Sequence, residues 1–184
     1  MIMSLFRRSP KNLNRRIIDT VYGAVVEAAR QPVLFRDWGI PDTPLGRYES
    51  VGLHLILFLY RARSAPPPAD ELAQDVLDEF FKDVDHSIRE LGVGDPGVPK
   101  RMKKLARMFY GRMGRYWAAL DAGDAVELGN ALAHNIAPEA PESIDRSALA
   151  DYMIRSARSF ADVPDEELLA GVVRFAEPLP LERS

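Results

Sequence analysis

The chain has 184 residues, of which 47% are hydrophobic, and this size and apolar content suit one domain with a buried core. Charged residues make up 28% of the sequence and the net charge is −3, which excludes a generally basic nucleic-acid-binding protein and argues against a disordered chain. The sequence contains no cysteine, so disulfides, thiol chemistry and zinc–thiolate sites are excluded as well.

Helical signals follow one another along the chain, separated by proline and glycine. Ser9-Pro10 can open a first helix and Pro32 ends it, while Thr43-Pro44 combines a helix cap with proline at the first helical position. No stretch alternates between apolar and polar residues convincingly enough for a strand. The sequence therefore predicts an all-α fold, a single-domain compact bundle of about seven or eight helices. The predicted helices cover residues 10–31, 33–38, 44–63, 70–91, 98–120, 125–136, 146–161 and 165–175.

The chain divides into three predicted regions. Residues 1–15 carry lysine and arginine but no acid and are expected to form a basic, flexible segment, residues 16–176 the helical domain and residues 177–184 a tail. The apolar part of the N-terminal segment is too short and interrupted for a secretory signal. The longest apolar run, residues 51–60, has about half the roughly 20 residues that a bilayer requires, so no membrane span is expected.

The fifth predicted helix has an apolar face and a basic face. Its large apolar side chains fall within about one third of the circumference, and no acidic residue occurs between Gly97 and Trp117. The basic side could be a platform for an anionic surface such as ribosomal RNA, lipid headgroups or a partner protein. It could equally be a solvated face that attracts the acidic fourth helix. Gly111 and Gly114 within the helix suggest close approach by another backbone.

A polar stripe runs along the third predicted helix, where Arg47, His54 and Arg61 recur at seven-residue intervals on an otherwise apolar segment. The stripe could lie inside a groove that receives a client protein. The alternative, which we favour, is that acids of neighbouring helices satisfy these side chains.

Signatures of catalysis are missing from the sequence, which has no Gly-rich phosphate loop, nucleophile elbow or zincin helix. Glu79, Asp83, His86 and Glu90 share one helix face and loosely resemble half of a di-iron site, but the second Glu-x-x-His is missing. We therefore expect no enzyme, and neither catalytic residues, a cofactor nor a metal.

Two blocks of the sequence resemble the ubiquinol–cytochrome c chaperone family. Residues 39–49, GIPDTPLGRYE, followed by Leu53-His54-Leu55, are similar to the first block of that family. Residues 92–104, GVGDPGVPKRMKK, are similar to the second, which continues through residues 109–112. The resemblance covers roughly residues 15–135 and is weak in the last third of the chain.

The resemblance implies a chaperone for assembly of the ubiquinol–cytochrome c reductase (bc1) complex of the respiratory chain. Its client would be newly made cytochrome b, another bc1 subunit or an assembly intermediate. Eukaryotic members act at the ribosome and the inner membrane, together with a small partner protein. The compact length and high arginine content indicate a bacterial member. We expect a cytoplasmic protein, peripheral at the inner membrane, in contact with the ribosome or the membrane surface but not with DNA.

Client capture is expected to use apolar anchors with a charged rim, in the manner of a helix held in a groove. The anchors would be aromatic and the rim would come from the basic helix. The predicted client-binding residues are Trp38, Arg47, Tyr48, His54, Lys100, Arg101, Lys103, Lys104, Arg107, Phe109, Tyr110, Arg112, Arg115 and Trp117.

Two other functions remain open at this point. His54, on a central apolar helix, supports a small-molecule protein that binds haem or quinone, although we expect no such ligand. The basic helix alone supports an RNA-binding domain, whose binding would weaken steeply with salt.

Overall fold

The computed structural model describes residues 11–179, and the side chains from Asn14 onward. Within this range the chain forms eight α-helices and two short 3-10 helices, and no strand, which confirms the all-α prediction. Predictions for residues 1–10 and 180–184 fall outside the described residues. The α-helices are α1 (Lys11–Ala29), α2 (Pro32–Arg36), α3 (Pro44–Ala62), α4 (Ala69–Glu90), α5 (Val98–Ala122), α6 (Ala125–Ile136), α7 (Arg146–Ala161) and α8 (Asp165–Leu169). The 3-10 helices are Asp95–Gly97 and Pro141–Ser143.

Local capping explains why the helices begin where the sequence predicts. The Thr43 side chain accepts a hydrogen bond from the backbone N–H of Gly46 at 3.1 Å, and Pro44 occupies the first turn of α3. Asp124 and Asp145 cap α6 and α7 in the same way. Each cap satisfies a backbone N–H that has no partner inside its own helix. Near the N-terminus, α1 is helical from Lys11, ahead of the domain boundary predicted at residue 16.

The third helix is the centre of the bundle, as its apolar sequence predicts. From Leu53 to Leu59 every side chain is buried, and Leu55, Leu57 and Phe58 have no exposed surface. Helices α1, α4, α5 and α7 all pack against α3. Since burial of one such side chain stabilises a fold by roughly 1.5–3 kcal/mol, this helix anchors the domain.

The last predicted helix is wrong in its length. We predicted a helix over residues 165–175, but α8 ends at Leu169, and Gly171 adopts a left-handed conformation with φ of 93°. The chain then continues without helix, and the Phe175 ring packs edge-on against Phe160 at a centroid distance of 5.0 Å. The helix thus ends at a glycine cap, a local signal that the prediction overlooked.

Candidate functional site

A large groove opens on one side of the bundle, between α1, α2, α3, α4 and α5, with a cavity volume of about 1330 Å³. This volume exceeds the roughly 300–1,000 Å³ typical of sites for small molecules. The floor is apolar and aromatic. Its residues are Phe35, Tyr48, Val51, Phe80, Val84, Ile88, Leu105 and Met108.

Contacts of Tyr48 hold three walls of the groove together. The Tyr48 ring stacks on Phe80 of α4 at a centroid distance of 5.6 Å. Its hydroxyl donates to the backbone oxygen of Leu105 in α5 at 2.8 Å. Burial raises the pKa of Tyr48, so the phenol stays neutral and keeps donating this bond. The shape of the groove is thus fixed between α3, α4 and α5.

Between α1 and α4, the Tyr22 hydroxyl donates to Asp83 at 2.7 Å. Burial, followed by the hydrogen bond to Asp83, raises the pKa of Tyr22. Asp83 therefore accepts a hydrogen bond from within the protein, and this bond joins α1 to α4.

Among the charged side chains that line the groove, basic residues outnumber acidic ones. The basic residues are Arg30, Arg36, Arg47, Arg101 and Lys104, and the acidic ones are Asp42, Asp83 and Glu90. Arg47 contacts Asp42 at 2.7 Å, and this guanidinium lowers the pKa of the Asp42 carboxyl. Arg30, Arg101 and Lys104 also border the groove, and no carboxylate of the described residues lies within 4.0 Å of their charged groups. These three cations can therefore meet acidic groups of a bound partner.

The predicted client-binding residues separate into distinct places. Four of them line the groove: Arg47, Tyr48, Arg101 and Lys104. Three others, Lys100, Lys103 and Arg107, are exposed on α5 but do not line the groove.

The remaining surface residues of that set lie elsewhere on α5. Tyr110 is 48% exposed and faces the Phe81 ring at a centroid distance of 6.4 Å, and Arg115 contacts Glu127 of α6 at 3.4 Å. Trp117 is half-buried, and its indole N–H donates to the backbone oxygen of Ile56 at 3.2 Å. None of these three borders the groove.

Trp38 and Phe109 are not exposed anchors. Each is only 1% exposed, and Phe109 packs against Phe80 at a centroid distance of 5.3 Å. Their large apolar side chains fill the space between helices, and a partner could reach them only if the core opened. The aromatic-anchor prediction is therefore corrected for these two residues.

His54 is a core residue with both ring nitrogens engaged. Nδ1 lies 2.7 Å from the Ser50 backbone oxygen and Nε2 lies 2.8 Å from the Tyr152 hydroxyl. Because a carbonyl only accepts, Nδ1 carries the proton and Nε2 accepts from the tyrosine. Burial lowers the pKa of His54 to about 4, which keeps the ring neutral. With no free nitrogen for iron and no exposure, His54 supports neither haem ligation nor contact with a client.

The rest of the polar stripe is also satisfied within the protein. Arg61 pairs with Asp165 and donates to the backbone oxygens of Phe160 and Val163. The interpretation that acids of neighbouring helices satisfy the stripe is confirmed only for Arg61. The partners of His54 are a backbone oxygen and a tyrosine hydroxyl, and Arg47 pairs with Asp42 of the preceding loop while also lining the groove.

Arg112 also lies inside the protein. It is 9% exposed, contacts the 4% exposed Glu49 at 2.8 Å and donates to the Asn135 backbone oxygen at 3.1 Å. Burial raises the pKa of Glu49 to about 7, and the charge of Arg112 opposes this rise. The predicted client-binding role of Arg112 is corrected, because this residue joins α3, α5 and α6.

The acids of α4 do not neutralise the basic helix through ion pairs. Glu79 pairs with Arg15 and Lys82, and Asp85 pairs with Arg89. Among the described residues, no group of three or more histidine or acidic side chains is arranged to hold a metal. In the same part of the chain, every helix is too short or too polar to cross a bilayer.

Sequence reasoning missed the contribution of α1 and α2 to the groove. Tyr22, Arg30 and Phe35 line it together with residues of α3, α4 and α5. The sequence of each helix predicts which of its faces is apolar, but it does not show which helices come together to form one groove. The available signal was an aromatic residue beside the apolar positions of each helix.

Comparison with known proteins agrees with the sequence resemblance. A family model described as ubiquinol-cytochrome C chaperone matches residues 36–175, which is more than half of the chain. The crystal structure of the Cbp3 homolog from Brucella abortus is similar, with 49% sequence identity and a TM-score of 0.87. That similarity covers 96% of this chain and 97% of the other. No curated protein matches the chain significantly.

Proposed function

Because the chain belongs to the ubiquinol–cytochrome c chaperone family, we propose that it supports assembly of the bc1 complex by holding newly made cytochrome b, or another bc1 subunit, in the groove. The observation that carries this proposal is the groove itself, with its apolar floor and basic rim. The walls supplied by α3, α4 and α5 lie within the matched region, residues 36–175.

The chemistry of the groove suits an apolar segment of a protein better than a small molecule. Contacts with the floor are non-directional, so they shield an apolar helix from water without demanding one sequence. Such a helix has a diameter of about 10–12 Å with its side chains, which an open groove can receive along its length. The client would remain shielded until it meets its partner subunits.

The unpaired cations on the rim add selectivity. Arg30, Arg101 and Lys104 favour a client segment whose apolar face is bordered by acidic residues or by an anionic terminus. Charge complementarity of this kind speeds association and excludes wrong partners more than it adds affinity. We place this activity in the cytoplasm, at the inner membrane where the client inserts.

A capture experiment tests the groove. A cell-free translated fragment of cytochrome b is pulled down by purified protein, by Met108→Glu and by Val51→Glu, both of which put a carboxylate on the apolar floor. We expect capture to fall about tenfold or more, because burying an unpaired charge against the client costs several kcal/mol. Val126→Glu on α6, at a residue that is 74% exposed and outside the groove, is the matched control and should capture normally.

Thermal unfolding of each variant shows whether the fold is intact. Should Met108→Glu or Val51→Glu unfold, Leu45→Glu at the mouth of the groove replaces it, because Leu45 is already 48% exposed. Normal capture by folded variants with a charged groove would show that the client binds elsewhere.

A further inference from the structure

Phe81 of α4 and Tyr110 of α5 lie on a surface that does not border the groove. Tyr110 is 48% exposed, Phe81 is half-buried, and their ring centroids are 6.4 Å apart. Together with Asp78, Lys82 and Asp85, Phe81 lines a shallow hollow. None of these residues lines the groove, so the proposed function leaves this surface without a role.

The two helices that form this surface carry opposite charge. Helix α4 contains eight carboxylates and two lysine or arginine residues, whereas α5 contains seven lysine or arginine residues and one carboxylate. The helices pack side by side, yet no ion pair joins them among the described residues. Their charges are therefore available to a partner.

A short connection makes α4 and α5 antiparallel neighbours. Phe81 and Tyr110 are in contact and so lie at the same height. Asp85, one turn further along α4, is therefore level with the part of α5 between Lys103 and Arg107. Residues three, four or seven positions apart share one side of a helix, which places these side chains on one face. This face, here called the α4–α5 face, consists of Asp78, Phe81, Asp85, Lys103, Arg107 and Tyr110.

We propose that the α4–α5 face is an interface between two copies of this chain. A twofold axis that runs between the two helices and parallel to them exchanges α4 with α5 and leaves their heights unchanged, so each α4 lies over α5 of the other copy. Asp85 of one copy then meets Lys103 and Arg107 of the other, and Tyr110 enters the hollow at Phe81. A perpendicular axis would instead stack α4 on α4 and α5 on α5, where like charges repel.

The basic residues of α4 do not oppose this pairing. Lys82 contacts Glu79 at 3.4 Å, so its charge is met within its own helix. Arg89 is shared between Asp85, at 2.7 Å, and Asp95, and one arginine between two carboxylates leaves a negative charge in excess. The α4 part of the face thus stays acidic.

Gly114, one turn after Tyr110, allows the two helices to approach closely. A Cβ atom added at this glycine would have no neighbour within 4 Å in a single copy. Glycine inside a helix lowers the stability of that helix, and it permits close approach of another backbone. In the dimer this bare stretch of α5 faces α4 of the other copy.

The dimensions of the two helices predict a reversible dimer. Helix α4 has 22 residues and α5 has 25, so the stretch that they share is about 33 Å long, and two adjacent helices are about 20 Å wide. Full stacking therefore covers up to about 650 Å² on each copy, somewhat less than the roughly 800 Å² per partner of a standard interface. We expect dissociation in the micromolar range.

Sedimentation equilibrium of the full chain tests the proposal over concentrations of roughly 5–500 μM, the range that suits a transient interface. The average mass should rise with concentration from 20.6 kDa toward twice that value. Two variants should each dimerise about tenfold more weakly or worse, because each stacks like charges. They are Asp78→Lys/Asp85→Lys on α4 and Lys103→Glu/Arg107→Glu on α5.

Mixing these two variants gives the sharper result. The reversed α4 of one chain then meets the reversed α5 of the other, and both unchanged helices also meet opposite charge, so the mixture should associate again. Controls carry the same charge changes at exposed positions outside the face. Glu139→Lys/Glu142→Lys and Arg16→Glu/Arg158→Glu should each dimerise like the wild type.

Two substitutions test the centre of the face. Tyr110→Ala should weaken dimerisation about tenfold, because a buried aromatic anchor is lost. Gly114→Leu fills open space in a single copy, so thermal unfolding should occur at the same or a higher temperature while dimerisation is lost. This combination separates the interface from the stability of the fold.

Several outcomes would overturn the proposal. One is a mass of 20.6 kDa at every concentration, and another is a mixture of reversed chains that does not associate. Dimerisation that is lost in Met108→Glu but kept in the α4–α5 variants would assign the contact to the groove. The proposed function is tested independently, because Lys103→Glu/Arg107→Glu should still capture the cytochrome b fragment, and Met108→Glu should dimerise normally.

Discussion

Replacing Glu49 by glutamine should change how the stability of the protein depends on pH. Glu49 is 4% exposed and contacts Arg112 at 2.8 Å, yet burial raises its pKa from the ordinary 4.5 to about 7. Between these two values the unfolded chain releases the proton and the native protein keeps it. Deprotonation thus favours the unfolded state, and native stability falls as pH rises through this window.

The size of the effect follows from the shift. A difference of one pKa unit corresponds to about 1.4 kcal/mol, so the rise from 4.5 to about 7 amounts to roughly 3 kcal/mol. The contribution of Glu49 is fully present below its unfolded pKa and is lost above its folded pKa. The free energy of unfolding of the wild type should therefore decrease by about 3 kcal/mol relative to Glu49→Gln across that range.

Protonation of His54 changes the stability of the protein with pH in the opposite direction. For this reason the stability of the wild type must be compared with that of Glu49→Gln at each pH. The pKa of His54 is lowered from 6.5 to about 4, so the unfolded chain binds a proton that the native ring does not, and stability rises with pH through that window. The two contributions largely cancel in the wild type. In Glu49→Gln only the histidine contribution remains, and a clear rise of stability with pH should appear.

Urea unfolding at several pH values, from about 4.5 to about 7.5, measures both proteins. Glu127→Gln is a suitable control, because Glu127 also contacts an arginine, Arg115, but is 53% exposed at the side chain. Its removal should cost little at any pH, as for other exposed pairs. A constant difference between wild type and Glu49→Gln over the whole range would refute the idea that burial of Glu49 controls its protonation.

Three further pairs of substitutions test the cap of α3, the groove floor and the contact between α6 and α7 by urea unfolding. Thr43→Ala removes the cap of α3 and should cost about 1 kcal/mol, whereas Thr43→Ser should cost less. Phe80→Ala removes a 1% exposed ring from the groove floor and should cost about 3–5 kcal/mol, and an exposed Val126→Ala change serves as its reference. Gly129→Ala places a Cβ 2.8 Å from the Arg146 backbone oxygen and should destabilise, while Gly111→Ala, with open space, should stabilise by up to about 1 kcal/mol. If Gly129→Ala did not destabilise the protein, the close contact between α6 and α7 at this glycine would be contradicted.

The helices of this protein could be predicted from the sequence because their signals are local. A cap residue with proline behind it, as at Thr43-Pro44, acts within one turn and needs no neighbour. The apolar and basic faces of α5 follow from the helical period alone, and the two blocks that resemble the chaperone family lie in short, continuous segments. The all-α architecture and the likeness to the family are therefore properties of the sequence by itself.

The groove was decided by tertiary structure. The helical period places Phe109 on the apolar face of α5, but nothing in the sequence shows that α4 buries it completely, or that Arg101 faces a groove and Lys103 does not. Exposure depends on which distant helices cover a residue, and the groove exists only where five of them meet. In the same way only the tertiary structure shows that Phe175, beyond the end of α8, packs against His54 and Phe160.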